Sequence, residues 1–196
     1  MALRLIAEPW WVNLLFLISP LAYFLWRREG VPLTRQQLLI SAVFAASFGF
    51  VEATVVAYLR AATGLLPGYQ GTLADVIRRS GEFYQQSQAL KQFPQSLLTL
   101  EVLREAATIL VLLSVAFLTS QKARARWAVF LWTFAIWDIA YYAALWATVR
   151  WPQSLKDADV LFLIPRPWFS PVWYPLLVSV LALLAVLLTR VDPPRT

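Results

Sequence analysis

Five apolar segments divide the chain, and their lengths match what a helix needs to cross a lipid bilayer. They cover roughly residues 9–26, 37–58, 96–119, 127–149 and 173–189. A spanning helix needs about 20 mostly apolar residues, and inside lipid every backbone polar group has to be satisfied within the segment. We therefore predict an all-α integral membrane protein, folded as one polytopic domain over residues 1–196 with a bundle of five transmembrane helices.

Basic residues indicate the orientation of this bundle, because short loops rich in lysine and arginine stay in the cytoplasm. In a five-span topology the short connections and the tail fall on one side, and they carry Arg27, Arg28, Arg35, Lys122, Arg124, Arg126, Arg190 and Arg195. We predict a protein of the plasma or inner membrane, with its N-terminus outside and its C-terminus in the cytoplasm. The first segment is expected to be a retained span rather than a secretion signal, since its basic residues follow it.

The two longer connections, about residues 59–95 and 150–172, are predicted to lie on the outer side. Apolar residues recur at helical spacing over 72–91, which predicts an amphipathic helix on the outer surface. An apolar run at 161–164, followed by several prolines, is typical of a re-entrant segment that is too short to span. Trp151 and Trp168 are interpreted as anchors at the outer membrane interface.

Ionisable side chains inside the apolar segments are the most informative feature for function. Each costs about 2.5–3.5 kcal/mol at the centre of a membrane helix, so such residues are rare and are candidates for a site by default. Four acids and one base stand in these positions, namely Glu52, Glu101, Arg104, Glu105 and Asp138. This excess of negative charge requires that some acids are protonated, that a cation is bound, or that the site opens to water.

Helical spacing predicts that these charged side chains meet in one cavity that opens outward. Glu101 and Glu105 are four residues apart and share a helix face, with Arg104 on the neighbouring edge. Ala45, Gly49 and Ala53 form a small-xxx-small stripe that allows a second helix to approach closely. We assign the five charged residues as candidate catalytic groups, and we assign substrate binding to Trp137, Tyr141, Tyr142 and Arg166.

A structural interpretation of the same residues stays open. Arg104 can form an ion pair with Glu101 or Glu105 that only holds helices together. Asp138 can be a protonated acid that is hydrogen-bonded to Tyr142 or to a backbone carbonyl.

The chain contains no histidine and no cysteine. This composition excludes disulfides, haem held by histidine, zinc sites built from cysteine and histidine, iron–sulfur sites and the Ser-His-Asp triad. The cofactor stays undetermined, but a hard divalent cation would suit carboxylate ligands. Asp157 and Asp159 form a DxD pair in the second long connection and are the candidate metal ligands.

The function that these observations favour is a membrane-embedded enzyme acting on a lipid or isoprenoid near the outer leaflet, although enzymatic activity itself is left open. Carboxyl groups supply the acid–base or metal-assisted chemistry. The alternatives are a transporter or channel for protons or small cations, and a non-catalytic subunit of a membrane complex. The expected partners are the bilayer, a lipid-like substrate, and a second copy or a partner subunit. Nucleic acid is not expected, because topology and anionic lipids account for the net charge of +6.

Overall fold

The computed structural model describes residues 6–62 and 95–192. This part of the chain is mostly helical, and its α-helices are α1 (Leu15–Trp26), α2 (Arg35–Ala62), α3 (Gln95–Thr119), α4 (Ala123–Val149) and α5 (Trp173–Thr189). A short 3-10 helix, Trp10–Leu14, precedes α1. All five predicted segments coincide with these helices. The amphipathic helix predicted over 72–91 lies outside the described residues.

Helices α2, α3 and α4 are long and apolar enough to cross a membrane. The segment Trp10–Trp26 and helix α5 are also apolar but shorter. The described ranges therefore have the helical content predicted from hydropathy, and they contain three helices of full spanning length.

A local signal in the sequence sets the start of α2 and links it to α3. Thr34 and Gln37 form a reciprocal cap at the start of α2, in which the Thr34 hydroxyl accepts the Gln37 N–H at 3.1 Å and the Gln37 side chain accepts the Thr34 N–H at 2.9 Å. The same Gln37 side chain donates to the carbonyl of Thr119 at 2.8 Å. The start of α2 and the end of α3 are thereby held at the same end of the bundle.

Helix α4 is the centre of the bundle, since it packs against α2, α3 and α5. Its contact with α2 depends on the small-residue stripe. Ala45 and Ala53 are fully buried there, and a Cβ atom added to Gly49 would meet the Trp137 carbonyl oxygen at 2.5 Å. The predicted close approach of a second helix along this stripe is confirmed.

A β-hairpin covers one end of the bundle, which we call the hairpin end. Strand β2 (Ala158–Phe162) pairs antiparallel with β3 (Trp168–Pro171). Glu8 extends this pairing, because its backbone exchanges hydrogen bonds of 2.8 and 2.7 Å with Phe169. The structure thus has paired strands where the sequence predicted a re-entrant segment, because backbone hydrogen bonds to β3 satisfy the polar groups of this stretch.

The opposite end, which we call the basic end, is held by a small parallel pair. Strand β1 (Val31–Pro32) pairs with β4 (Arg190–Val191), so the residues after α5 are tied to the connection between α1 and α2. Gly30 has a φ of 71° and lies against Val191 so closely that a side chain would collide with it. The Arg190 guanidinium donates to the Leu33 carbonyl at 2.8 Å.

Candidate functional site

A cavity of about 610 Å³ lies inside the bundle beneath the hairpin. Side chains from α1 to α5 and from β2 and β3 line it. Most of the lining is apolar, but it also contains carboxyl groups from α2, α3, α4 and the hairpin. The helices around the cavity position these groups, because α4 is the common neighbour of α2, α3 and α5. This cavity is the only place in the described chain at which all the candidate acids of the apolar segments meet.

Several polar side chains in the cavity wall form an ion-pair cluster between α2 and α3. The Arg104 guanidinium donates to the carboxylate of Glu101 through Nη2 at 2.8 Å and through Nε at 3.2 Å. It also forms a salt bridge with Glu52. The hydroxyl of Thr108 donates to the other oxygen of Glu52 at 2.8 Å. Arg104 and Thr108 therefore satisfy Glu52 from one helix face.

Glu105 lies one helical turn from Glu101 but has a different partner. Its Oε2 atom accepts the backbone N–H of Leu163 at 2.7 Å. Leu163 follows directly after strand β2, so this contact fastens the hairpin to α3. The sequence left Glu101 and Glu105 open as ion-pair partners of Arg104, and the structure pairs Arg104 with Glu101 and with Glu52.

Asp138 is buried near the middle of α4, and its hydrogen-bond partner belongs to α5. The Ser179 hydroxyl donates to Asp138 Oδ2 at 2.8 Å, and among the described residues the second oxygen, Oδ1, has no hydrogen bond. Neither Tyr142 nor a backbone carbonyl, the two partners that the sequence left open, bonds to Asp138 among the described residues, and the Tyr142 hydroxyl donates to Asp159 on β2 instead. Asp138 and Asp159 both lie within electrostatic reach of that hydroxyl.

The two carboxylates of the DxD pair have separate roles. Asp157 Oδ2 accepts the backbone N–H groups of Gln153 and Ser154 at 2.8 and 3.1 Å, which is a turn-capping arrangement. Asp159 lies in strand β2, is buried, and accepts the Tyr142 hydroxyl. Within the described ranges, no group of three or more acids is placed to share a metal ion.

Aromatic rings form much of the remaining cavity wall. Trp137 and Tyr141 are stacked with their centroids 6.1 Å apart, and Phe134 is stacked on Phe162 at 6.3 Å. Phe162 also contacts Trp137 and Trp168, with centroid distances of 6.4 and 5.4 Å. The rings of α4 and of the hairpin thus form one continuous aromatic surface.

Two polar atoms on this aromatic surface lack a partner. The indole N–H groups of Trp137 and Trp168 are buried, and neither makes a hydrogen bond to a described residue. A buried donor without an acceptor costs about 1–3 kcal/mol, so such groups are uncommon in folded proteins. Both tryptophans line the cavity.

The structure brings together most of the residues that the sequence selected. The predicted residues that line this cavity are Glu52, Glu101, Arg104, Glu105, Trp137, Asp138, Tyr141, Tyr142 and Asp159. Arg166 is exposed in the turn of the hairpin and does not line the cavity, and Asp157 caps its turn outside it. The sequence interpretation missed Ser179, a hydroxyl in an otherwise apolar helix, and it treated Trp168 as a membrane anchor.

Comparison with known proteins adds no family to this description. The chain matches no protein-family model, no curated protein and no solved structure.

Proposed function

We propose that the protein is a five-span integral membrane enzyme that acts on a lipid or isoprenoid at the outer leaflet. The observation that carries the proposal is the cavity of about 610 Å³, which combines an apolar and aromatic lining with carboxyl groups on its walls. A cavity of this size falls within the range that holds a small organic ligand. An apolar cavity between apolar helices suits a substrate that arrives from the bilayer.

The proposed orientation follows the positive charge. The connections at the basic end carry Arg27, Arg28, Lys122 and Arg124, and short loops of this kind remain cytoplasmic. The hairpin end and the cavity are then on the outer side of a plasma or inner membrane. Helices α2 to α4 have spanning length, and α1 with its preceding 3-10 helix and α5 complete the five spans in this proposal.

Asp138 is the group we assign to proton transfer. It is buried, it lines the cavity, and its Oδ1 atom has no hydrogen bond among the described residues. A buried carboxyl group with one unengaged oxygen can donate a proton to a substrate double bond, or take one from a substrate hydroxyl, and Ser179 holds its other oxygen in place. The ring faces of Trp137 and Tyr141 then stabilise positive charge that develops on the substrate.

The other acids are assigned supporting roles. Glu52 and Glu101 share the guanidinium of Arg104, and Glu105 holds the backbone of the hairpin. These contacts engage the carboxylates with protein donors rather than gathering them on one metal ion. Acid–base chemistry therefore fits the site better than metal-assisted chemistry.

Proton or cation transport fits the geometry less well. The buried carboxyl groups of the described chain lie at the middle of the bundle or toward its hairpin end. Toward the basic end the described residues bury apolar side chains such as Val31 and Leu33 and the hydroxyls of Ser41, Thr133 and Thr189, but no carboxyl group. A relay of ionisable groups across the membrane is therefore present only on one side of Asp138.

The decisive experiment compares the lipids of host cells that express the wild-type protein, Asp138→Asn or an empty vector. We expect a lipid species to change with the wild-type protein only, because the amide cannot exchange a proton as the acid does. Glu29→Gln is the matched control, since Glu29 is an exposed acid at the basic end. The enzyme proposal fails if Asp138→Asn, expressed at the same level, produces the wild-type lipid profile.

Two further outcomes of this comparison identify the alternatives. Unchanged lipids together with a pH-dependent ion flux in proteoliposomes would indicate a transporter. Unchanged lipids together with a membrane protein that co-purifies with the wild type, and is lost with the acid-to-amide variants, would indicate a non-catalytic subunit.

A further inference from the structure

Two carboxyl groups of the cavity each have one oxygen held by the protein and one oxygen without a hydrogen bond. The Ser179 hydroxyl holds Oδ2 of Asp138 on α4. The Leu163 N–H group holds Oε2 of Glu105 on α3. Among the described residues, Oδ1 of Asp138 and Oε1 of Glu105 have no hydrogen bond. Both carboxyl groups are therefore fixed in position while one oxygen of each stays available.

These two available oxygens can be reached from the cavity. In the described chain, the side-chain nitrogen and oxygen atoms that are both sealed from solvent and without a hydrogen bond are the indole nitrogens of Trp137 and Trp168 alone. The available oxygens of Asp138 and Glu105 have no hydrogen bond and are not sealed, so each has accessible surface. Asp138 is 7% exposed, Glu105 is 8% exposed, and both line the cavity, which is where that surface lies.

The other acids of the cavity are engaged more fully. Glu52 accepts a hydrogen bond at each of its two oxygens, and so does Asp159. Glu101 accepts two N–H groups of the Arg104 guanidinium. A carboxylate that is paired with a cation or bonded at both oxygens is poorly placed to exchange a proton with a bound molecule. The two acids with an available oxygen are therefore the ones suited to act on a substrate.

The aromatic surface of the cavity joins the surroundings of these two acids. Asp138 follows Trp137 directly in α4, and Glu105 binds the backbone of the residue that follows Phe162. The rings of Trp137 and Phe162 have their centroids 6.4 Å apart. A molecule that rests on these two rings lies against the part of the wall that carries both carboxyl groups. Ring faces also stabilise positive charge that develops beside them.

We propose that Glu105, besides holding the hairpin, is the second catalytic residue of the site, and that the reaction is a redox-neutral isomerisation or cyclisation of an unsaturated lipid. Asp138 donates its proton to one carbon of a double bond, which forms a C–H bond and leaves a carbocation beside the aromatic rings. The Glu105 carboxylate removes a proton from a carbon next to the cationic carbon, and the electrons of that C–H bond form the new double bond.

The balance of this reaction needs no further reactant. The substrate gains one proton and loses one, so its elemental composition is unchanged and nothing is oxidised or reduced. Proton exchange with water on the outer side returns Asp138 to its acid form and Glu105 to its carboxylate. This inference rests on the proposed lipid-directed function and specifies its reaction class.

The first test extends the host-cell comparison to Glu105→Gln. The glutamine keeps an oxygen that accepts the Leu163 N–H group but cannot take up a proton. We expect the lipid change to fall about 100-fold or to the level of the empty vector, as for the loss of an acid–base group. Hydrogen exchange of the Leu163 amide should stay close to wild type, which shows that the hairpin is still held. Glu29→Gln is again the control.

The second test follows the protons. Membranes of empty-vector cells, which contain the host lipids, are incubated with the purified wild-type protein in ordinary water or in heavy water, and the lipids are analysed by mass spectrometry. In ordinary water we expect a product with the same mass as a lipid that is consumed. In heavy water the product should carry one deuterium on carbon, because Asp138 delivers a solvent-derived proton and Glu105 removes a different one.

A product whose mass differs from that of its substrate in ordinary water would overturn the reaction class, and so would a product without deuterium. A wild-type lipid profile with Glu105→Gln would overturn the role of Glu105. These results differ from failure of the proposed function. If the wild-type protein changes no lipid, both proposals fall, whereas loss of the change with Asp138→Asn but not with Glu105→Gln removes only this inference.

Discussion

Helix α4 faces α2 on one side and the cavity on the other, and the two sides are built by different rules. On the α2 side, Ala45, Gly49 and Ala53 bring the backbones so close that Gly49 touches the Trp137 carbonyl region. On the cavity side, large rings and carboxyl groups of α3, α4 and α5 surround unfilled volume. The contact with α2 is made by small residues, whereas Glu52, which lies between Gly49 and Ala53 in the sequence, lines the cavity together with every other buried acid of the apolar helices that the structure describes.

The contrast between the two sides shows how a small helical bundle accommodates buried carboxyl groups. Close packing of small residues contributes dispersion contacts between helices without any polar group. Because α2 and α4 are held together in this way, the cavity side of α4 can remain loosely packed and polar. If this interpretation is right, substitutions on the two sides should change the free energy of unfolding for different physical reasons. The changes should also differ in size and in sign.

The largest effect is expected at the ion-pair cluster. Arg104→Met removes the guanidinium that Glu52 and Glu101 share, and it leaves two carboxylates without their cation. We expect the free energy of unfolding, measured by titration with a denaturing detergent, to fall by about 3 kcal/mol, the lower end for a broken buried ion pair. Arg104 is partly exposed, which places it at that lower end.

Two comparisons show whether charge is the cause of that loss. Arg124→Met removes an exposed ion pair with Glu29 at the basic end, and its cost should stay below about 1 kcal/mol. Combining Arg104→Met with Glu52→Gln and Glu101→Gln should restore most of the lost stability, because no charge is then left unpaired. If the triple variant is no more stable than Arg104→Met, the cluster does not act through charge.

The next effect is expected on the close side. Gly49→Val places two methyl groups against the Trp137 carbonyl and the Ala140 side chain, where a Cβ atom alone already approaches to 2.5 and 3.0 Å. Backbone atoms cannot move aside as a side-chain tip can, so we expect a loss of about 1–3 kcal/mol in the free energy of unfolding. Ala46→Val on the exposed face of α2 is the control, and a loss of similar size there would show that helix propensity, not packing, is responsible.

A third effect concerns the contact that fastens the hairpin. Glu105→Leu removes the acceptor of the buried Leu163 N–H group and should cost about 1–3 kcal/mol, whereas Glu105→Gln keeps an acceptor oxygen of the same shape and should cost less than half as much. Hydrogen exchange of the Leu163 amide measures the contact directly. It should become faster in the leucine variant and stay close to wild type in the glutamine variant, and equal exchange in both would contradict the assigned bond.

The sequence predicted the helices and the charged cluster because both follow local rules. Hydropathy located five helices within a few residues, and the spacing of Glu101, Arg104 and Glu105 placed them on one side of α3. The choice of partners could not be predicted in this way. Whether Asp138 bonds to Tyr142 or Ser179 depends on the rotation of α4 against α5, and that rotation is set by packing across elements 41 residues apart in the chain.

The hairpin and the role of its tryptophan were beyond prediction for a related reason. Its strands are short, and their apolar residues follow no long alternation, so the run at 161–164 resembled a segment that dips into lipid. Trp168 fits the composition of a membrane interface as well as it fits a cavity wall. Only the pairing of β2 with β3 distinguishes the two, because it places Trp168 beside Phe162.

The smallest effect is expected on the open side and should have the opposite sign from Gly49→Val. Val178 of α5 lines the cavity and is partly buried, so Val178→Leu adds a methylene group beside unfilled volume. Cavity filling stabilises proteins by about 0.5–2 kcal/mol, and we expect the lower end because the added group covers only part of the cavity. Unfolding with the denaturing detergent should show this gain in the delipidated protein. In the host-cell comparison the same variant should produce a smaller lipid change than the wild-type protein, because the leucine occupies space that the proposed substrate needs. A loss of stability as large as that of Gly49→Val would mean that this side is as closely packed as the α2 side, and the contrast between the two sides of α4 would then be wrong.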